Sequence, residues 1–223
     1  MAGTKTIRVT GKGKIKVHPD MTRITITLEG IYKDYSETLK HSGNDTDTLK
    51  ETIAEAGFMA TDLKTLSFSV DTEYEGYKDN GVYKNRFVGY KYRHIMKLEF
   101  DSDNKRLGKI LYALANCKIE PEFRLSYTVK DTESPKNELL GKAVTDAKRK
   151  AEVLTEAAGV KLKEIQSIDY SWGEMNIEIS PMHDDLRMMR SKGVLEEESF
   201  YGLDIEPDDI DLTDIVTVVW EIE

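Results

Sequence analysis

The fold of this chain is decided by a stretch that occurs twice, as AGFMATDLKTLSFSVDTEY at residues 56–74 and as AGVKLKEIQSIDYSWGE at residues 158–174. In each copy a helical pattern stops at a glycine, and a segment that alternates between apolar and polar residues follows. A glycine directly after a helix favours the left-handed conformation that ends it, and alternation with period two is typical of a strand. Because an internal repeat constrains a whole fold, these two junctions set the order of the elements around them.

Each copy predicts the same succession of strand, helix, strand and strand. The bounds are 23–33, 36–56, 63–77 and 82–100 in the first copy, and 122–130, 134–158, 161–173 and 212–222 in the second. The hairpin of the first copy turns at Asp79-Asn80-Gly81, a strong signal for a tight turn. In the second copy the same connection is expanded to about 38 residues, a length that is usually functional or disordered.

A further strand, residues 6–17, precedes the repeats and contains Gly11 and Gly13. Glycines in mid-strand indicate a bulge or the close approach of another backbone. The turn-forming residues His18-Pro19-Asp20 follow, so this strand is expected to form a hairpin with the strand at 23–33. The sequence therefore predicts an α+β fold, a tandem β-α-β-β repeat with an extra N-terminal strand and a connecting helix, whose helices pack on a mainly antiparallel sheet. Residues 1–223 are expected to form one domain of two repeats, about 21–101 and 121–223.

Charge is unevenly distributed along the 223 residues, whose net charge is −9. No Lys or Arg follows Lys192, but eleven acids do, so the residues up to Lys192 carry a small positive excess. No clustered basic face is evident, so we expect no nucleic-acid partner. No apolar run reaches the ~20 residues of a membrane span. The N-terminus lacks an apolar signal region, which predicts a cytoplasmic protein, or an envelope protein if a leader precedes this sequence.

The residue types that carry chemistry are few and scattered. The single cysteine, Cys117, excludes an intrachain disulfide, and it is read as a half-buried structural thiol rather than a reactive one. The segment 181–190 combines three methionines with His183 and two aspartates but lacks a second ligand cluster, and 204–214 does not match a calcium loop. With no triad or paired-acid motif, we expect no catalytic residue, cofactor or metal, and no enzyme activity.

Aromatic residues are dense along the predicted hairpin of the first copy. The candidates for an interaction surface are Tyr74, Tyr77, Tyr83, Phe87 and Tyr90. Exposed aromatic residues mark interfaces, although a core face beneath a helix explains about half of them equally well. The polar tip, residues 75–86, is expected to project, so we expect a homo-oligomer that associates through this hairpin.

Three stretches resemble the SIMPL-domain family and together span nearly the whole chain. They are IRVTGKGKIKVHPD at residues 7–20, AVTDAKRKAEVLTEAAGVKL at residues 143–162, and IVTVVWEI at residues 215–222. The resemblance implies a tandem α/β architecture, mostly bacterial envelope proteins, oligomeric assemblies in some members and oxidative-stress defence in others. It supplies no set of catalytic residues. The expected function is therefore a non-enzymatic, oligomerising scaffold or adaptor, and the alternative is a small-ligand-binding or redox-protective protein.

Overall fold

The computed structural model describes residues 5–170, 177–180 and 205–223, which form three α-helices and two antiparallel sheets and confirm the predicted α+β class. In chain order the elements are β1 (Thr6–Val17), β2 (Met21–Tyr32), α1 (Tyr35–Glu55), a 3-10 turn (Ala60–Asp62), β3 (Lys64–Asp79), β4 (Val82–Asp101), α2 (Asn104–Ala115), β5 (Glu122–Thr128), α3 (Glu133–Ala158), β6 (Leu162–Asp169), β7 (Glu178–Ile179) and β8 (Ile210–Ile222). The described residues divide into two compact units. The first contains 5–19, 129–170, 177–179 and 208–223, and the second contains 20–128, 180 and 205–207.

In the second unit, four strands lie in the order β3-β4-β2-β5, and each neighbouring pair is antiparallel. Alternate residues of β2, such as Ile24 and Ile26, are fully buried and lie opposite Leu98 and Met96 of β4. Helix α1 packs on β2 and β4, and α2 lies against α1. The buried residues of α2 include Leu107, Ile110, Leu111 and Leu114, and Asp103 caps this helix by accepting hydrogen bonds from two backbone amides.

In the first unit, three strands lie in the order β1-β8-β6, again with antiparallel neighbours, and α3 packs across β1 and β8. The expected hairpin between β1 and the next strand is wrong, because β1 pairs with β8 over its whole length, from Thr6 opposite Glu221 to Val17 opposite Ile210. The physical reason is burial. β8 carries Val216, Val218 and Trp220 on the face that α3 covers, which continues the apolar face of β1.

The glycines of β1 serve the close approach that the sequence predicted. A Cβ added at Gly11 would lie 2.0 Å from the carbonyl oxygen of Ala143, and one added at Gly13 would lie 2.2 Å from that of Leu139. The ladder between β1 and β8 has no register shift, so β1 contains no bulge against β8. Small residues on both elements therefore let the backbone of α3 contact the strand directly.

The glycines that end the helix in each copy of the repeated stretch have the predicted left-handed conformation. Gly57 has φ of +89° after α1, and Gly159 has φ of +68° after α3. After Gly57, β3 lies at the edge of its sheet and β4 lies between β3 and β2. After Gly159, β6 lies at the edge of its sheet and β8 lies between β6 and β1. β5, which the sequence assigns to the second repeat, pairs with β2 of the first. The division into two sequence repeats stays a prediction.

Candidate functional site

Strands β3 and β4 extend beyond the rest of their sheet. The last residue of β2, Tyr32, lies opposite Tyr90, and from Glu73 opposite Gly89 outward β3 and β4 pair only with each other among the described strands. We call residues 73–89 the arm. Its tip has the predicted tight turn, with φ of +47° at Asn80 and +83° at Gly81.

A β-bulge at the base of the arm decides which side chains share a face. The register shifts between Glu73 and Tyr74, so that Tyr74 lies opposite Phe87 and Val88 has no partner residue. Gly89 allows this bend because an added Cβ would lie 2.3 Å from the carbonyl oxygen of Tyr32. The bulge reverses the alternation of β4, and Phe87 therefore faces the same side as Tyr74 and Tyr90.

One face of the arm is aromatic. The ring centroids of Tyr74 and Phe87 are 5.8 Å apart, those of Phe87 and Tyr90 are 5.3 Å apart, and Tyr90 makes an edge contact at 5.4 Å with Tyr35 at the start of α1. Two-residue alternation places Gly76, Lys78, Tyr83 and Asn85 on this face as well. We call the face formed by residues 74, 76, 78, 83, 85 and 87 the aromatic face, and its single charged residue is Lys78.

On the opposite face of the arm, beyond Glu73 at its base, four charged residues form two ion pairs. Glu75 accepts from Arg86 at 2.7 Å, and Asp79 accepts from Lys84 at 2.7 Å. Tyr77 lies on this ion-paired face. Of the five candidate residues, the structure therefore brings Tyr74, Phe87 and Tyr90 into one row of contacts, places Tyr83 further out on the same face, and places Tyr77 on the other side.

Sequence reasoning missed three residues that form the arm or contact its base. Tyr35 was not considered because it begins the helix that follows β2, and only the folded sheet brings it to Tyr90. Gly76 and Gly89 were not singled out, although both are mid-strand glycines of the kind that drew attention to Gly11. The rule that identified the close approach in β1 also applies to Gly89, which lies against the backbone of Tyr32, but no backbone atom lies close to Gly76.

The polar residues behind the arm hold the second unit together. The Tyr92 hydroxyl donates to the Asp45 carboxylate, and burial followed by this hydrogen bond raises the pKa of Tyr92 far above its usual value. The ring of Tyr32 stacks on His41 at 4.0 Å, and burial, with the nearby carboxylates of Asp45 and Glu37, raises the pKa of Tyr32. Both phenols stay protonated at neutral pH and are unsuited to act as general bases.

His94 is the buried histidine of the second unit, and both of its ring nitrogens are bonded. Nδ1 lies 3.1 Å from the Thr46 hydroxyl and Nε2 lies 2.9 Å from the Thr65 hydroxyl. Burial, followed by the charge of Lys50, lowers the pKa of His94. The imidazole is therefore neutral at pH 7 and joins α1 to the edge strand β3.

A cavity of about 530 Å³ lies between the C-terminal ends of α1 and α2. Its lining includes Thr52, Lys109, Tyr112 and Cys117. Cys117 is more deeply buried than expected, at 6% exposure. The Thr52 hydroxyl donates to the Thr48 carbonyl, so the Cys117 thiol donates to the Thr52 hydroxyl oxygen at 3.2 Å.

The described part of the chain has neither a cluster of metal ligands nor a membrane-spanning helix. Residues 5–170, 177–180 and 205–223 contain no group of three or more histidine, cysteine or acidic side chains placed to hold a metal ion. None of the described helices is both long and apolar enough to cross a membrane. The methionine-bearing segment 181–190, and residue 204 of the acidic segment, lie outside the described residues.

The SIMPL family, described as "Protein of unknown function (DUF541)", matches residues 7–220. No curated protein matches the chain. Among solved structures, the crystal structure of the EcmrR C-terminal domain aligns with 8% identity over 97% of this chain and 98% of that chain. The TM-score of this alignment is 0.16, a value too low for one structure to inform the other. The family match covers nearly the entire sequence, and the chain therefore belongs to the SIMPL (DUF541) family.

Proposed function

We propose that this protein is a non-enzymatic scaffold that self-associates through the aromatic face of its arm. The observation that carries the proposal is the exposure of that face. Tyr74, Tyr83 and Phe87 are 56%, 82% and 47% exposed, although they stand together on one side of a two-stranded hairpin. A hairpin of two strands is marginally stable in water unless another layer covers it. A partner that covers the aromatic face would stabilise the arm.

The uncovered area is large enough for a specific contact. At about 200 Å² for each aromatic side chain, the exposed fractions of Tyr74, Tyr83 and Phe87 correspond to roughly 370 Å². Tyr35, which is 51% exposed, adds roughly 100 Å². Two copies facing each other would bury roughly 940 Å² from these rings alone, near the ~1,000 Å² expected of a biological interface.

The distribution of charge on the arm also supports self-association. Interface cores are depleted in charged residues and enriched in aromatic ones, whereas interface rims are polar. On the arm, four charges form two ion pairs on one face, and the aromatic face holds Lys78 alone, with its ammonium 5.5 Å from the centre of the Tyr83 ring. The arm thus has one face suited to contact with protein and one suited to contact with water.

The proposal of a non-enzymatic role is supported by how the polar groups are used. Among the described residues, no buried side-chain nitrogen or oxygen lacks a hydrogen-bond partner. Catalytic groups are often left with unused hydrogen-bonding capacity until substrate binds, whereas Tyr92 and His94 are bonded within their own unit. The same proposal includes a location in the cell envelope or a role in the stress response. Fractionation of the cells that express the protein tests the location.

Sedimentation velocity over a wide range of protein concentration tests self-association. We expect the native protein to sediment faster as its concentration rises. The double variant Tyr74→Ser/Phe87→Ser should weaken association about 30-fold or more, as for the loss of a central hot-spot residue. The matched control is Tyr77→Ser/Val82→Ser, which removes one aromatic and one apolar residue from the ion-paired face and should associate like the native protein. A native protein that stays monomeric throughout would refute the proposal.

Small-ligand binding is the second candidate, and the cavity between α1 and α2 favours it. Its volume of about 530 Å³ lies within the range of small-molecule sites. Native mass spectrometry of protein purified from its own cells would reveal a retained ligand as added mass. A mass equal to that of the bare chain would count against this candidate.

A further inference from the structure

Gly76 has no role in the fold of its own chain. The glycines of β1 and the bulge glycine Gly89 leave 2.0–2.3 Å between an added Cβ and a neighbouring backbone atom, and Gly81 requires a positive φ. At Gly76 neither condition holds, because the nearest atom to an added Cβ is the Asn85 side-chain oxygen at 3.6 Å, an ordinary contact. The ladder is also regular there, with Gly76 opposite Asn85. Glycine weakens a strand interior, so its presence calls for a reason outside this chain.

The missing side chain leaves a notch in the aromatic face. Tyr74 and Phe87 stand on one side of Gly76, and the pair Lys78 and Tyr83 stands on the other. At ~3.3 Å per residue, positions 74 and 78 are about 13 Å apart along the strand, which leaves room for one aromatic ring between them. We call the gap above Gly76 and Asn85 the notch.

The same face also carries a side chain of the right shape to fill such a notch. Tyr83 is 82% exposed, the largest exposed fraction among the large hydrophobic residues described, and lies one alternation step from Gly76. In a two-fold contact, residue i of one copy meets residue j of the other, and residue j of the first meets residue i of the second. A knob and a hole on one hairpin therefore suit a second copy of this chain.

We infer that Tyr83 of a second copy seats in the notch above Gly76, and that the partner's notch receives Tyr83 of the first copy in the same way. This inference rests on the proposed self-association and specifies its geometry. The incoming ring packs between the Tyr74–Phe87 pair and the Tyr83 ring of the receiving copy. Asn85 at the edge of the notch places an amide within reach of the incoming hydroxyl group.

Two single substitutions test the contact from its two sides. Gly76→Val fills the notch with a residue that favours strands, so the arm should remain folded while association weakens about 30-fold. Tyr83→Ser removes the knob and should weaken association to a similar extent. Gly43→Ala, at a helical glycine with open space around it, is the control and should associate normally. Circular dichroism and thermal midpoints verify that each variant folds.

Mixing the two variants distinguishes this geometry from self-association by another route. A Gly76→Val copy keeps its knob and a Tyr83→Ser copy keeps its notch, so the mixture regains one of the two contacts. We expect the mixture to associate more tightly than either variant alone, measured by sedimentation with one variant fluorescently labelled. The notch contact is wrong if the native protein associates and both variants associate as tightly as it does, or if mixing the variants brings no gain. In either case the scaffold proposal stands. A native protein that remains monomeric overturns both.

Discussion

His94 joins α1 to the edge strand β3 through a directional pair of hydrogen bonds. The Thr46 hydroxyl donates to the Ser42 carbonyl at 2.8 Å, so it accepts from Nδ1 of His94. Nε2 then carries no proton and accepts from the Thr65 hydroxyl. Protonation would add a positive charge to a buried ring that already lies near Lys50, and both effects lower its pKa.

The lowered pKa of His94 gives a pH dependence of definite sign. An unfolded histidine titrates near pH 6.5, so the neutral folded form contributes its full stability above that pH. The contribution is lost as the pH falls through the lower pKa of the folded state, at up to about 1.4 kcal/mol for each pH unit in that interval. We expect urea midpoints to fall between pH 7.5 and pH 5, and to fall less in the variant His94→Gln.

The control for this titration is Gly43→Ala, which changes no titratable group and adds a Cβ where nothing lies within 4 Å. This variant should keep the pH dependence of the native protein. If His94→Gln and the native protein lose stability in parallel as the pH falls, the titrating group is another residue and the assignment to His94 fails.

Single residues also show where sequence reasoning stops. Alternation alone separates Tyr77 from Tyr74, because positions three apart in a strand face opposite sides. Alternation predicts that Val88 shares a face with Tyr90, but the bulge at Gly89 gives that position to Phe87. A bulge depends on a contact with Tyr32, which belongs to another strand. The sequence contains the glycine but not the identity of the backbone that approaches it.

At the scale of elements, α3 closes the exposed edge of β1. The Lys12 amide of β1 donates to Asp146 of α3 at 2.9 Å, and Lys150 donates to the Thr10 carbonyl at 3.2 Å. Hydrogen bonds from Lys150 and Arg149 and from this amide hold the pKa of Asp146 far below its usual value. An edge strand with unpaired backbone groups is a template for unwanted pairing, and side chains of α3 occupy two of these groups.

The contact between α3 and β1 depends on Gly11. We expect Gly11→Ala to destabilise the protein by about 3 kcal/mol or more, because the new Cβ would lie 2.0 Å from the Ala143 carbonyl oxygen and cannot be accommodated without moving the helix. The matched control is Gly43→Ala, where nothing lies within 4 Å and alanine favours the helix by up to about 1 kcal/mol. Urea unfolding measures both, and equal stability of the two variants would contradict the packing argument.

The elements themselves were well predicted, whereas the partner of β1 was not. Gly57, Gly159 and the turn at residues 79–81 are local signals, and the structure confirms all three. The pairing of β1 with β8 joins residues about two hundred positions apart, and no local signal distinguishes it from a hairpin with β2. Burial against α3 selects the partner, and burial is a property of the assembled unit.

At the scale of the whole molecule, the arm and the buried core use different residues. The buried hydrophobic residues come from both units, but none lies between positions 73 and 88. The arm joins the sheet of the second unit only at its base, where Glu73 lies opposite Gly89. Folding and self-association should therefore be separable, which is what a scaffold with an added contact element requires.

Removal of the arm tests this separation directly. Deletion of residues 74–88, with Asn-Gly inserted between Glu73 and Gly89, closes the two antiparallel strands with a favoured two-residue turn. Because no buried residue is lost, the free energy of unfolding should stay within about 1 kcal/mol of the native value, as for substitutions away from the core. Association should disappear in sedimentation over the range in which the native protein assembles. A shortened chain that still assembles would place the interface elsewhere, whereas one that fails to fold would show that the arm belongs to the core of its unit.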